Sequence, residues 1–257
     1  MTDLLAARTH MLDIRAAVAK IGRFSAAESG DTIEVIELPG GGFSFVIIDA
    51  EGTGRGAKTL SNLLATRAIV RLKDGASDAS VARAIHDHLY TYHMGQAMAT
   101  LNILSIDFAH GVLRITRNNP APYFVLAPQG MQTYNESSSP IGLYTAAAPL
   151  ITELPVEPYT YVVLFTDGLL HAGERFGEDI EIAHYLETWP VSEGLDPENL
   201  SQELLARALE VDQGEPSDDM SIVVLAVLPA YQAGDPSSNH LSYPVRHLNL
   251  SVPFERT

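Results

Sequence analysis

Apolar residues recur along this chain in two rhythms, strict alternation and roughly helical spacing, with glycine, proline and acidic residues between the segments. Residues 13–19 place Ile14, Ala16 and Val18 at every second position. Their alanines favour helix, but the alternation reads as a strand. Residues 32–38 intersperse Ile33, Val35 and Ile36 with acidic side chains, Pro39-Gly40-Gly41-Gly42 turns the chain, and residues 43–48 return as a more apolar strand. In an antiparallel hairpin the first residue of one strand lies opposite the last of the next, so Asp31 and Asp49 become neighbours.

After Gly52, Gly54 and Gly56, residues 57–71 carry Leu60, Leu63, Leu64, Ile69 and Val70 at helical spacing. Ser77-Asp78-Ala79-Ser80 offers N-cap residues for a second helix over 81–93. Residues 99–107, 111–117 and 123–127 read as a meander of three strands, and 159–166 is the most apolar strand. Helices over 180–188 and 199–211 and a strand over 221–228 complete the pattern. Strands, two helices, strands, helices and a strand, in that order, predict an α+β fold with antiparallel sheets rather than repeated βαβ units. Residues 1–230 are expected to form a single domain. Residues 231–257 are expected to form a C-terminal extension, with a linker over 235–239 and residues 241–252 supplying an added strand or an arm on a partner.

Composition narrows the function. Of 257 residues, 46% are hydrophobic, ample for a buried core. Asp and Glu number 32 against 16 Lys and Arg, a formal charge of -16 that disfavours nucleic acid and anionic membrane surfaces, and no basic run offsets it. The chain has no Cys, which excludes disulfides, thiolate metal sites and cysteine nucleophiles. Its start lacks the pattern of a secretory signal and no apolar window reaches the length of a membrane span, so a cytoplasmic location is expected.

The acidic residues fall at informative places. Asp49 and Asp167 each end an apolar run and lead into a glycine turn, as in Phe165-Thr166-Asp167-Gly168. In Ser217-Asp218-Asp219-Met220 the carboxylates precede a run instead, and Ser29-Gly30-Asp31 precedes another. Carboxylates at strand ends can converge on one sheet edge, where divalent cations offset the crowded charge. Taken singly, each has a plainer reading: Asp-Gly after a strand is usually a turn, and Asp218-Asp219 equally suits a helix cap or a solvated pair. Glu51 suits a solvent-facing turn position, and His86, His88 and His93 suit surface or packing roles on a helix. The run Gly52-Thr53-Gly54-Arg55-Gly56 lacks the ending of a nucleotide P-loop.

Six motifs occur in order: Ser29-Gly30-Asp31, Asp49-Ala50-Glu51-Gly52-Thr53-Gly54, Asn118-Asn119-Pro120-Ala121-Pro122, Ser139-Pro140-Ile141-Gly142-Leu143, Phe165-Thr166-Asp167-Gly168 and Asp218-Asp219-Met220-Ser221. Together they resemble the metal-dependent type 2C protein serine/threonine phosphatases, particularly the SpoIIE-like bacterial branch. The resemblance implies an antiparallel β-sandwich flanked by helices, in four α-β-β-α layers, with two Mg²⁺ or Mn²⁺ ions at one end. Asp49 would bridge both ions. Asp167 and Asp218, the latter chosen by motif register, would complete one ion's protein ligands, and Asp31 with the Ala50 carbonyl would hold the other. The implied reaction is hydrolysis of phosphoserine or phosphothreonine by a metal-activated water, and the implied partner is a phosphorylated anti-sigma antagonist or stressosome protein. Relatives often have His where this chain has Thr53 and Gly where it has Ala50. Asn119 is given a substrate-facing role, and Arg15 and Arg23 are poor counterparts of the phosphate-gripping Arg of eukaryotic relatives. The competing expectation is a catalytically weak docking module that keeps the fold and metal site.

Overall fold

In the computed structural model, residues 12–24, 26 and 28–229 are described. Their elements run β1 (Leu12–Ile21), β2 (Thr32–Glu37), β3 (Gly42–Ala50), α1 (Gly54–Lys73), α2 (Asp78–His93), β4 (Ala99–Asp107), β5 (Val112–Asn118) and β6 (Tyr123–Ala127). There follow β7 (Gly130–Tyr134), β8 (Leu150–Pro155), β9 (Thr160–Phe165), the single turn α3 (Asp167–Leu170), α4 (Ile182–Glu187), α5 (Pro197–Val211) and β10 (Met220–Pro229). The extension expected over 231–257 lies outside the described residues.

The strands form two antiparallel sheets, ordered β1-β10-β9-β6-β7 and β2-β3-β4-β5-β8. Side-chain alternation sends neighbouring residues to opposite faces, so each sheet presents two apolar surfaces. Phe45, Ile47, Leu104, Ile106, Val162, Leu164, Val223 and Leu225 meet between the sheets. Val46, Ile48, Leu101 and Ile103 face the other way, onto α1 and α2 through Leu64, Ala68, Ile85 and Leu89. On the opposite side, Tyr161, Val163, Phe165, Ile222 and Val224 pack under Leu186, Leu200 and Leu204 of α4 and α5. The result is an α+β sandwich of four layers, helices outside and sheets within.

Several boundaries differ from the pattern-based expectation. The meander ends at β5: β4 pairs with β5, whereas β6 pairs with β9 and β7 in the other sheet. Pro120 and Pro122 in the connection lack the N–H groups that a hairpin ladder needs, and buried Arg117 donates to the carbonyls of Ala121 and Glu136, fastening the corner. β7 and β8 escaped the periodicity reading because both are short edge strands with polar, exposed positions. The helix expected over 180–188 contracts to α4, since Glu181 takes a left-handed conformation before it and Pro190 follows it. α1 starts at Gly54, three residues earlier than its apolar spacing indicates. Among the described residues no helix is long and apolar enough to cross a membrane.

Leu104 is fully buried between the sheets. Leu104→Ala is expected to lower unfolding free energy by about 2–5 kcal/mol, measured by urea denaturation. A loss below about 1 kcal/mol would show that the inter-sheet layer is not the main core.

Candidate functional site

Strand alternation carries a ring of polar side chains to one end of the sandwich. On β3, Asp49 continues the inter-sheet series Phe45 and Ile47, while Asp31, just before β2, continues Ile33 and Val35. The register pairs Thr32 with Ile48, so the next position outward brings Asp31 beside Asp49, as the hairpin pattern predicts. In the facing sheet, Thr166 extends Val162 and Leu164, Ser221 precedes Val223, and Lys20 follows Ala16 and Val18. Lys20 lies directly opposite Ser221 across the β1–β10 ladder. The two sheets are joined here by hydrogen bonds: the Ser221 N–H donates to Thr166 Oγ1, whose hydroxyl donates to Asp31 Oδ2, each at 3.0 Å.

Electrostatics records the convergence of the four predicted carboxylates. Burial first, then the charges of Asp31 and Asp167, push the Asp49 carboxyl up to about 9; a hydrogen bond with Asp167 and the charge of Asp218 act in the same direction. Asp31 is fully buried, and that burial raises it to about 6 against the opposing effects of Lys20 and Thr166. Asp218 is also raised, chiefly by burial and secondarily by neighbouring Asp167 and Asp219. Ala50, whose carbonyl completes the expected set, is buried at the end of β3 opposite Ala99. Beyond it the chain leaves through Gly52 at φ 111°, a conformation that a side chain would strain.

The two adjacent carboxylates at the start of β10 have different duties. Asp219 is 6% exposed, and its oxygens accept from the Arg23 N–H at 2.8 Å and the Gly30 N–H at 2.7 Å. It therefore clamps the segment that delivers Asp31. Asp218 is exposed and accepts only from the Asp219 N–H, at 2.8 Å, leaving carboxylate oxygen available for a ligand. Gly168 is needed at this junction, since a Cβ there would stand 2.1 Å from the Asp219 carbonyl oxygen.

Two lysines escaped the sequence reading. Lys20 and Lys58 both donate to the Asp31 carbonyl, at 2.5 and 2.6 Å, and Lys58 also donates to Thr32 Oγ1 at 3.0 Å. Burial, with the adjacent Lys58 charge next, lowers Lys20 to about 8. The alternation that marks β1 as a strand continues to Lys20, one residue past the expected strand end, and that was the available signal. Asn119 does not take a substrate-facing position: it is 1% exposed and its side-chain oxygen accepts from the Ala121 N–H at 2.9 Å, forming the corner. Arg15 pairs with Asp13 and Asp196, away from the carboxylates. His86 is buried and accepts from the Gly142 N–H, a packing role.

The donor set fits a hard divalent cation. Asp31 Oδ1 is buried without a hydrogen-bond partner, and Asp49 faces carboxylates rather than counter-ions. Among the described residues no group of three or more His, Asp or Glu side chains is placed, as it stands, so that it could hold a metal ion. An open, all-oxygen arrangement of that kind suits Mg²⁺ or Mn²⁺, whose remaining positions water can fill.

Two outcomes test this geometry. Asp49 and Asp31 lie above the ordinary carboxylate value, so the metal-free folded chain retains protons that the unfolded chain releases near pH ~4. Their stabilising contribution is complete below that pH and is lost as pH rises through about 6 for Asp31 and about 9 for Asp49. The urea midpoint in EDTA should therefore fall across this window, and Asp49→Asn should flatten the fall; a rising midpoint would contradict the site. Separately, Asp219→Ala should lower stability by roughly 1–3 kcal/mol by stranding the buried Gly30 N–H and releasing that of Arg23. Asp218→Ala should instead keep the melting temperature and weaken Mn²⁺ binding in calorimetry; the reverse pattern would exchange the roles of the two residues.

Comparison with known proteins agrees with this architecture. The profile of the family described as Stage II sporulation protein E (SpoIIE) matches residues 39–228. No curated protein sequence matches the chain significantly. Among solved structures, the phosphatase domain with a regulatory fragment of the cell fate determinant SpoIIE from Bacillus subtilis superposes with a TM-score of 0.71 at 18% identity, over 85% of this chain and 64% of that one. The phosphatase domain of the same protein, in a crystal form without domain swapping, gives 0.67 at 17% identity over 88% and 98% of the two chains. The catalytic domain of the serine/threonine phosphatase PstP, solved with two manganese ions, gives 0.61 at 15% identity over 85% and 100%. At these identities the structural likeness speaks to the fold, which is that of the PP2C phosphatases. The profile match spans most of the chain, and the chain belongs to the SpoIIE family.

Proposed function

We propose that this protein is a divalent-cation-dependent phosphatase that removes phosphate from serine or threonine in another protein. The observation that carries the reading is the crowding of three other carboxylates around the partly buried Asp49. In this reading Asp49 contacts both of two Mg²⁺ or Mn²⁺ ions. Asp167 and Asp218 complete the protein ligands of one, and Asp31 with the Ala50 carbonyl holds the other. The two manganese ions in the PstP structure support that number. Ions bound there supply a nucleophilic water near neutral pH and offset the charge of the phosphoryl oxygens.

The chain's own residues prepare the site. Thr166 aims the Asp31 carboxylate, Asp219 holds the backbone on either side of the 23–30 segment, and Lys20 and Lys58 place positive charge behind Asp31. Phosphoryl transfer depends mainly on positioning and charge stabilisation, which this arrangement supplies without a cysteine nucleophile. The substrate we assign is a cytoplasmic phosphoprotein of the anti-sigma antagonist or stressosome type, following the family resemblance. We take residues 1–230 as one phosphatase domain.

Hydrolysis of a phosphoserine peptide should require Mn²⁺ or Mg²⁺ and should fall about a hundredfold or more in Asp49→Asn. EDTA-resistant turnover, or full activity in the variant, would reject the reading. Metal binding and phosphoprotein capture without turnover would favour the docking-module alternative.

A further inference from the structure

The net charge of -16 conceals one strongly basic element. Helix α1 carries Arg55, Lys58, Arg67, Arg71 and Lys73 and no acidic residue, in a chain where acids outnumber Lys and Arg two to one. Lys58 turns inward to Asp31, as described. Leu63, Arg67 and Val70 follow one another at i, i+4 and i+7, forming a stripe on the face opposite buried Leu64, Ala68 and Leu72.

That stripe is both exposed and chemically unfinished. Leu63 is 41% and Val70 51% exposed. Among the described residues neither Arg67 nor Arg71, both half-buried, has a carboxylate partner: Arg67 Nε is buried without an acceptor, and Arg71 donates only to the Arg67 carbonyl, at 3.2 Å. The surface continues onto α2. His88 on α2 is held below its ordinary value by burial first and then by the charges of Arg67, Arg71 and His93. Tyr92, 75% exposed, lies 5.7 Å from the His88 ring.

We propose that this α1–α2 face docks an acidic amphipathic helix from a partner protein. Leu63, Val70 and Tyr92 offer apolar contact, and Arg67 and Arg71 offer the guanidinium forks that carboxylates match. Charge complementarity selects the occupant. The net charge of -16 disfavours an acidic segment on the molecule as a whole, and the acid-free helix α1 offers it countercharge. The inference does not depend on the catalytic reading.

The test uses the full chain and a fluorescein-labelled sixteen-residue helical probe peptide with leucines along one face and glutamates flanking them. Binding is read by anisotropy at low salt, against a control peptide with every Glu replaced by Gln. The expected result is saturable binding that weakens about tenfold or more in Arg67→Glu/Arg71→Glu, and comparably in Val70→Asp, at unchanged melting temperature. The proposal is overturned if the acidic peptide does not bind, if the Gln peptide binds as tightly, or if the double variant binds as well as the parent. It is also overturned if phosphatidylserine vesicles, rather than the peptide, are what the parent retains and the double variant loses.

Discussion

A partly buried carboxylate, Asp49, with Asp31, Asp167 and Asp218 as its charged neighbours, is the constraint to which the rest of this structure responds. Desolvation and like-charge repulsion act together there, and both oppose ionisation. A fold that brings four such groups within reach of one another's charge has to manage it. It places Lys20 and Lys58 at the back of Asp31, and a threonine hydroxyl on one of its oxygens. It also commits the fifth carboxylate nearby, Asp219, entirely to backbone N–H donors, where its charge supports a loop. What remains unbalanced is the open oxygen face of Asp31, Asp49, Asp167 and Asp218, the part suited to cations.

The sandwich architecture explains how residues from distant parts of the chain meet there. Each strand has one face toward the opposing sheet, and a polar residue one step past the last apolar position on that face emerges at the sandwich end. Lys20, Asp31, Asp49, Thr166 and Ser221 all obey this rule, from five different strands or strand ends. Helix α1 uses a different period to serve two surfaces. Its inward residues Ser61 and Lys58 bond the Gly30–Thr32 segment, whereas Leu63 and Val70 face solvent and Arg67 is half-buried between them. One helix without acidic residues thus contributes countercharge to the interior site and the main basic surface of an acidic molecule.

Much of the fold was legible because local pattern and tertiary environment agree. Alternation identified β1 and β2, apolar runs identified β3, β9 and β10, helical spacing identified α1 and α2, and the hairpin register alone predicted the Asp31–Asp49 neighbourhood. Edge strands β7 and β8 were not legible, since a strand exposed at the sheet margin needs no apolar signature. The sheet change between β5 and β6 was also hidden: consecutive strands usually pair, and only the proline pair and buried Arg117 at the corner prevent it.

For the candidate site, the amino-acid order by itself determined which carboxylates stand at strand ends, that cysteine chemistry is excluded, and which six motifs succeed one another. It separated Asp218 from Asp219 only by motif register, gave Asn119 a role outside the structure it builds, and passed over Lys20 and Lys58. These were decided by tertiary structure because burial and hydrogen-bond partners are properties of place. Adjacent aspartates differ only once Arg23 and Gly30 present their N–H groups to one of them, and a lysine becomes a counter-ion only when two sheets and a helix converge on the same carbonyl.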